Sequence, residues 1–210
     1  MIRKSILLTF LIGLLISSGL LAQNRAGEYF IGIKGGVNLS NLYSSEVDDN
    51  NVRTGFHAGV YARNYLSDNF FIQPEIMYSS KGFEATDDGF TEELELQLDY
   101  IDVPIIFGYN ILLPIEVHVG PYISFLANDP SGSFDTDLID GEFTADKDDF
   151  NSLDYGVAIG AGLNLEFIDF IVRYNLGLAP VASSGIPEEA LGSSKNSVLQ
   201  ITVALHPTYN

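Results

Sequence analysis

The sequence predicts an all-β chain: an eight-stranded antiparallel up-and-down transmembrane β-barrel with its apolar face turned outward. Three observations carry this reading. Apolar residues recur at every second position in eight separate segments. The connections between those segments alternate between short and long. The opposite face is built of Gly, Ala, Ser, Asn and Tyr with isolated charges, whereas a water-facing sheet is denser in Lys and Glu.

The elements follow in order. Residues 1–22 are read as a signal peptide: Arg3 and Lys4 precede the apolar run SILLTFLIGLLISSGLLA, with Ala22 at the cleavage point. A retained membrane helix is the alternative reading of that run. Residues 23–210 are then the barrel domain. In 28–42, Tyr29, Ile31, Ile33, Val37 and Leu39 oppose Lys34, Asn38 and Ser40. In 52–66, Phe56, Ala58, Val60 and Ala62 oppose His57, Tyr61 and Arg63. In 70–83, Phe70, Ile72, Ile76 and Tyr78 oppose Gln73, Glu75, Met77, Ser79 and Lys81. In 99–109, Ile101, Val103, Ile105 and Phe107 oppose Tyr100, Asp102, Pro104 and Gly108. In 115–127, Ile115, Val117, Val119, Ile123 and Phe125 oppose Glu116, His118, Gly120, Tyr122 and Ser124. The stretch 154–178 supplies two strands, whose apolar set moves from odd to even numbers after Phe167. Residues 196–206 supply the last, with Leu199, Ile201, Val203 and Leu205 on one face.

Short connections fall at 67–69, 110–114 and 167–169; long ones at 43–51, 84–98, 128–153 and 181–195 hold most of the acid. Leu94, Leu96 and Leu98 are out of phase with Ile101 and Val103, which calls for a bulge near Asp99–Tyr100 or a hairpin continuing above the barrel. Aromatics gather near the turns in two girdles: Tyr65, Phe70, Phe71, Phe107, Tyr109 and Phe167 at one end, Tyr43, Tyr78, Phe83, Phe125 and Tyr155 at the other. Each segment supplies the ~9–11 residues of a tilted membrane strand. A soluble lipocalin-like binder, with its apolar face inward, is the competing architecture.

Composition narrows the partners. The 210 residues carry a net charge of −18, which becomes −20 once the leading segment is removed with Arg3 and Lys4. Nucleic acid is excluded as a partner, because phosphate binding needs clustered Lys and Arg. There is no Cys, hence no disulfide and no thiolate metal site.

Three stretches, IGIKGGVNLSNL (31–42), FFIQPEIMYSSKGFE (70–84) and YIDVPIIFGYN (100–110), resemble the Bacteroidetes outer-membrane β-barrel family often labelled PorT-like or porin family. The resemblance covers about residues 26–206. It implies an eight-stranded barrel in the outer membrane of a Gram-negative, Bacteroidetes-type bacterium, in contact with outer-membrane lipid. It also implies insertion by the barrel-assembly machinery, which reads a terminal aromatic. Here the chain ends LHPTYN, so Leu205 or Tyr209 takes that role. No shared activity is implied.

An eight-stranded barrel leaves an interior just wide enough for side chains. By alternation the inward charges are Lys34, Arg63, Lys81 and Arg173 against Glu75, Asp102, Glu116, Glu166 and Asp169. The candidate site is an ion-pair network in the lumen drawn from Lys34, Arg63, Glu75, Glu116, Glu166 and Arg173. Within it, Arg63 is expected opposite Gln73 and diagonal to Glu75, within pairing reach.

Catalysis is not expected. His57, His118 and His206 lie at different heights and form no dyad with a neighbouring Ser and Asp, so no residue is assigned as catalytic. The loop 135–154 is dense in carboxylates. Asp135, Asp137, Asp140 and Glu142 are weak candidates for Ca²⁺ or Mg²⁺, lacking the EF-hand spacing. Divalent ions are expected there only as a loose cloud, and no cofactor is called for. The reading is a structural or interaction protein acting through acidic extracellular loops, with a narrow pore or small-solute channel as the alternative.

Overall fold

A computed structural model of the chain describes residues 26–43, 52–87, 92–112, 114–135, 140–165, 167–183 and 191–207. The leading segment, with its cleavage point, lies outside them. The strands are β1 Tyr29–Tyr43, β2 Arg53–Tyr65, β3 Phe70–Asp87, β4 Glu92–Leu112, β5 Ile115–Leu126, β6 Ser131–Asp135, β7 Asp140–Thr144, β8 Leu153–Asn164, β9 Ile168–Pro180 and β10 Lys195–Leu205. Eight of them, all but β6 and β7, form a closed wall. Each pairs antiparallel with its neighbour along the chain, and β10 pairs back onto β1.

Register fixes the tilt of the wall. Tyr29 faces Asn64, then Ile72, Phe107, Val119, Ile159, Tyr174 and Leu199, and Leu199 faces Leu39 of β1. One circuit therefore returns ten residues further along β1, the stagger that strand tilt imposes on a closed barrel. Both described chain ends lie with the short turns.

The apolar face is the outside. In β5, Ile115, Val117, Val119, Ile123 and Phe125 are exposed while Glu116, His118, Tyr122, Ser124 and Leu126 are buried. Ile33, Ile159 and Val172 are each more than half exposed. In a soluble protein such a belt of exposed aliphatic residues would be untenable. In hydrocarbon it is the required surface, and it is the reverse of a lipocalin's apolar interior.

The structure corrects three local expectations. The phase of Leu96 and Leu98 needs no bulge: the β3–β4 register runs unbroken from Phe70↔Tyr109 to Asp87↔Glu92, so the hairpin continues above the barrel. Leu96, Leu98 and Tyr100 point inward, in phase with Asp102. Two of the long connections are accordingly not loops throughout. Residues 84–98 are largely strand, and 128–153 holds the β6–β7 hairpin, which pairs onto the rising end of β4, and a 3-10 turn at Lys147–Asp149. The girdles are also smaller than expected. Tyr65, Phe71 and Phe83 are buried because they share the inward phase of Arg63, Gln73 and Lys81. Phe107, Tyr109, Phe167, Tyr43, Phe125 and Tyr155 do face outward.

Where β3 leaves the barrel wall, Gly82 has φ of 140°, a region that side-chain-bearing residues avoid. A Cβ there would also fall inside contact distance of the Leu96 carbonyl oxygen. Gly82→Val is expected to destabilise the barrel by about 1–3 kcal/mol. Denaturant unfolding in detergent, followed by tyrosine fluorescence, measures this; a wild-type midpoint would show that the bend tolerates a side chain.

Candidate functional site

Alternation drives the polar half of every wall strand into the lumen, where the residues stack in layers from the short-turn end upward. The lowest layer is an aromatic collar of Phe30, Tyr61, Tyr65 and Phe71, closed by Ile171 and Ala204. Arg63, fully buried, stands within it, its guanidinium carbon 4.1 Å from the centre of the Phe71 ring. It donates to Glu116 Oε2 at 2.9 Å and to Gln73 Oε1 at 2.6 Å, and lies 3.4 Å from Asp169.

The next layer centres on Glu75. Lys34 Nζ donates to its Oε2 at 2.6 Å, and Arg173 grips both oxygens at 2.8 and 3.0 Å. Gln73 joins the two layers: its amide nitrogen donates to Glu75 Oε1 at 2.6 Å while its oxygen accepts from Arg63. His118 accepts from Arg173 Nε at 3.2 Å through Nε2, so its proton is on Nδ1, the nitrogen facing Glu116 at 3.7 Å.

A neutral belt follows. His57 bridges Asn38 and Thr202, both at 2.8 Å, and Asn38 is also bound by Gln200. Above it Lys81 donates to Asp102 at 2.9 Å and Ser124 at 3.2 Å. The top layer is apolar: Leu42, Phe83, Leu96, Leu98, Tyr100, Leu126, Phe150 and Val181 pack together inside the mouth.

Lys34, Arg63, Glu75, Glu116 and Arg173 thus meet in the lumen. Their pairing departs from expectation in one respect. Arg63 does lie against Gln73, but its carboxylate partners are Glu116 and Asp169, and Glu75 belongs to Lys34 and Arg173. Glu166 lies outside the described residues. So do Asp137 and the side chains of Asp135, Asp140 and Glu142; on the backbone, Asp135 and Asp140 face one another at the end of the β6–β7 hairpin. Among the described residues no three His, Asp or Glu side chains gather as metal ligands. The three histidines sit apart, each with its own partners among the described residues.

Asp154 ends the acidic stretch 135–154. It is buried in the lumen, and the signal was available: it shares the phase of Gly156 and Ala158, opposite the outward Tyr155 and Val157. Asn175 and Asn196 are buried on the same grounds.

A tilted antiparallel barrel with an apolar outer belt and paired charges inside is the architecture of outer-membrane proteins. Residues 21–183 match the family described as outer membrane protein beta-barrel domain, and the chain belongs to that family. It is an outer-membrane protein of the Gram-negative type. Among solved structures it is similar to Neisserial surface protein A, at 13% identity and a TM-score of 0.51, covering 83% of this chain and 96% of that one. It also matches the attachment invasion locus protein Ail of Yersinia pestis, at 12% identity and a TM-score of 0.43, covering 86% of this chain and 99% of that one. OprG of Pseudomonas aeruginosa matches at 13% identity and a TM-score of 0.41, covering 86% of this chain and 96% of that one. No curated protein matches the sequence significantly.

Two predictions follow from the lumen. Glu75→Ala leaves Lys34 and Arg173 buried beside no counter-charge, and removing one partner of a buried pair costs about 3–5 kcal/mol. The temperature of the heat-induced mobility shift in detergent should fall markedly, and an unchanged transition would refute the network. The second concerns His206, just beyond β10. Its Nε2 faces Asp169 at 3.3 Å and its Nδ1 faces the Pro207 carbonyl at 3.0 Å, two acceptors that only the doubly protonated ring satisfies. Burial opposes that charge, but the Asp169 and Pro207 bonds outweigh it and raise the titration above the usual imidazole value. The resulting stabilisation is full below the unfolded value of about 6.5 and disappears as pH rises through the raised folded one. Unfolding free energy measured across that window should decline with pH in the wild type and less so in His206→Gln.

Proposed function

We propose that this barrel is a non-conducting outer-membrane protein whose lumen is filled by side chains and whose contacts are made outside it. The supporting observation is the lower lumen. Three cations, Lys34, Arg63 and Arg173, are buried and tied across the barrel to three carboxylates, Glu75, Glu116 and Asp169. Side chains linked in this way span the barrel from β2 to β5 and from β9 to β3. The apolar cluster above them closes the mouth.

With the lumen occupied, the interaction surface is the acidic extracellular end, including the β6–β7 sheet standing above the wall. Divalent cations gather there loosely rather than in a built site. Export by a signal peptide cleaved near Ala22, insertion by the barrel-assembly machinery and a Bacteroidetes-type, PorT-like origin complete the proposal. The role is structural or interactive rather than enzymatic.

Single-channel recording of the purified, refolded protein in a planar bilayer at neutral pH tests this. Silence from a correctly folded barrel is the expected result. Discrete, reproducible steps would replace the proposal with a narrow pore and make Arg63, Glu75 and Arg173 its constriction.

A further inference from the structure

The short-turn end of the barrel has two unlike halves. Neighbouring elements are bonded directly to one another there, which holds the turns at one height. Asn110 N donates to the Asn69 carbonyl at 2.8 Å, Asn164 N to the Pro114 carbonyl at 2.7 Å, and His206 N to the Phe167 carbonyl at 3.2 Å. The β2–β3 turn is polar: after Leu66 come Ser67 and Asp68, both exposed. The β4–β5 and β8–β9 turns, side by side because β5 pairs with β8, are apolar. Ile111, Leu165 and Phe167 are exposed on them, and Leu112, at 71%, is the most exposed large apolar residue among those described.

These side chains are not an isolated patch. Ile111 continues the outward row of Phe107 and Tyr109 along β4, and Ile115 and Leu163, paired in register and both exposed, carry the apolar belt from the wall into the two turns. On this side the lipid-facing surface runs to the tip of the rim. On the other it gives way after Leu66 to Ser67 and Asp68.

The backbone of the apolar turns suits a medium without water, where an unpaired peptide group is costly. Leu112 pairs with Ile115, and Leu165 N donates to the Ile168 carbonyl at 3.1 Å. The Pro114 and Phe167 carbonyls accept from Asn164 and His206, and Pro114 has no N–H to satisfy. Residues 110–114 include no charge, and residues 164–168 include one, Glu166.

We propose that this half of the rim lies in the periplasmic leaflet of the membrane, with Ile111, Leu112, Leu165 and Phe167 among phospholipid acyl chains, while Ser67 and Asp68 stay in water. Short turns are the periplasmic ends of such barrels. A carboxylate is expensive in hydrocarbon, so Glu166 limits the immersion of its own turn to the headgroup boundary. Continuity with the belt selects lipid over a protein partner, whose docking patch would be ringed by polar residues. The seating does not depend on whether the lumen conducts.

The chain contains no cysteine, so a nitroxide on a single introduced one reports its own surroundings. Leu112→Cys, Leu165→Cys and, as the polar reference at the same height, Asp68→Cys are labelled and refolded into phosphatidylcholine vesicles at high lipid-to-protein ratio. Electron paramagnetic resonance then compares collisions with oxygen, which concentrates in hydrocarbon, and with a nickel chelate, which stays in water. The oxygen-to-nickel ratio should be severalfold higher at 112 and 165 than at 68, and either leucine site decides the matter if the other variant does not fold. Equal ratios at the leucine sites and at 68 would overturn the proposal. So would leucine-site labels shielded from both reagents, or broadened by one another as protein is concentrated, because protein rather than lipid would then cover the turns.

Discussion

Hydrocarbon offers no partner to a peptide group, so every N–H and C=O of a membrane-crossing sheet must be satisfied within the sheet itself. The pairing of β10 with β1 meets that constraint by removing both edges of the wall. Closure then dictates the rest. With one face of each strand committed to lipid, the alternate residues have nowhere to go but the lumen. With eight strands and a stagger of ten, that lumen is narrow. Polar side chains placed there cannot keep full hydration shells, so charges have to find each other.

They find each other across the barrel rather than along its wall. Arg63 on β2 reaches Glu116 on β5, and Arg173 on β9 reaches Glu75 on β3. Their partners are far away in the chain: 53 residues in the first case and 98 in the second. Such contacts form only after most of the wall is in place, which makes them late, non-local rewards of closure. The aromatic collar lies at the bottom of this stack and the apolar mouth cluster at its top.

This geometry explains what could be read in the chain. Which face a residue occupies follows from period-two alternation, a local property, and that is why the wall strands and nearly all inward charges were legible. Tyr65, Phe71, Phe83 and Asp154 were legible on the same rule. Nearness to a turn or to an acidic loop competes with phase at these positions, and phase prevails. Partner identity is different in kind. Whether Arg63 meets Glu75 or Glu116 depends on the height each attains inside the tube, and height depends on the stagger accumulated around the whole circuit. Adjacent-strand reasoning correctly set Arg63 beside Gln73, a neighbour on the wall, and could not see β5 across the lumen. The β6–β7 hairpin was obscured for another reason: its five-residue strands are too short and too acidic to show alternation.

The two charged regions of the lumen behave as separate systems. In the lower one Glu75 serves two cations and Arg63 serves two carboxylates, with Gln73 donating to one centre and accepting from the other. Its members share partners, so the effects of removing them are not additive, and its charges sum to zero. Between this system and Lys81 lies a belt of Asn38, His57, Thr202 and Gln200, which bond to one another and, through the Asn38 amide nitrogen, to Ser79 and the Ser80 carbonyl, without a formal charge. A neutral, fully bonded layer has no spare cation to send upward. The lower arginines are fixed by two-pronged contacts, and Arg53 above is fixed by Glu95 and Gln97. Lys81, paired with Asp102 and near Asp154, is therefore held in a charged region separate from the lower one.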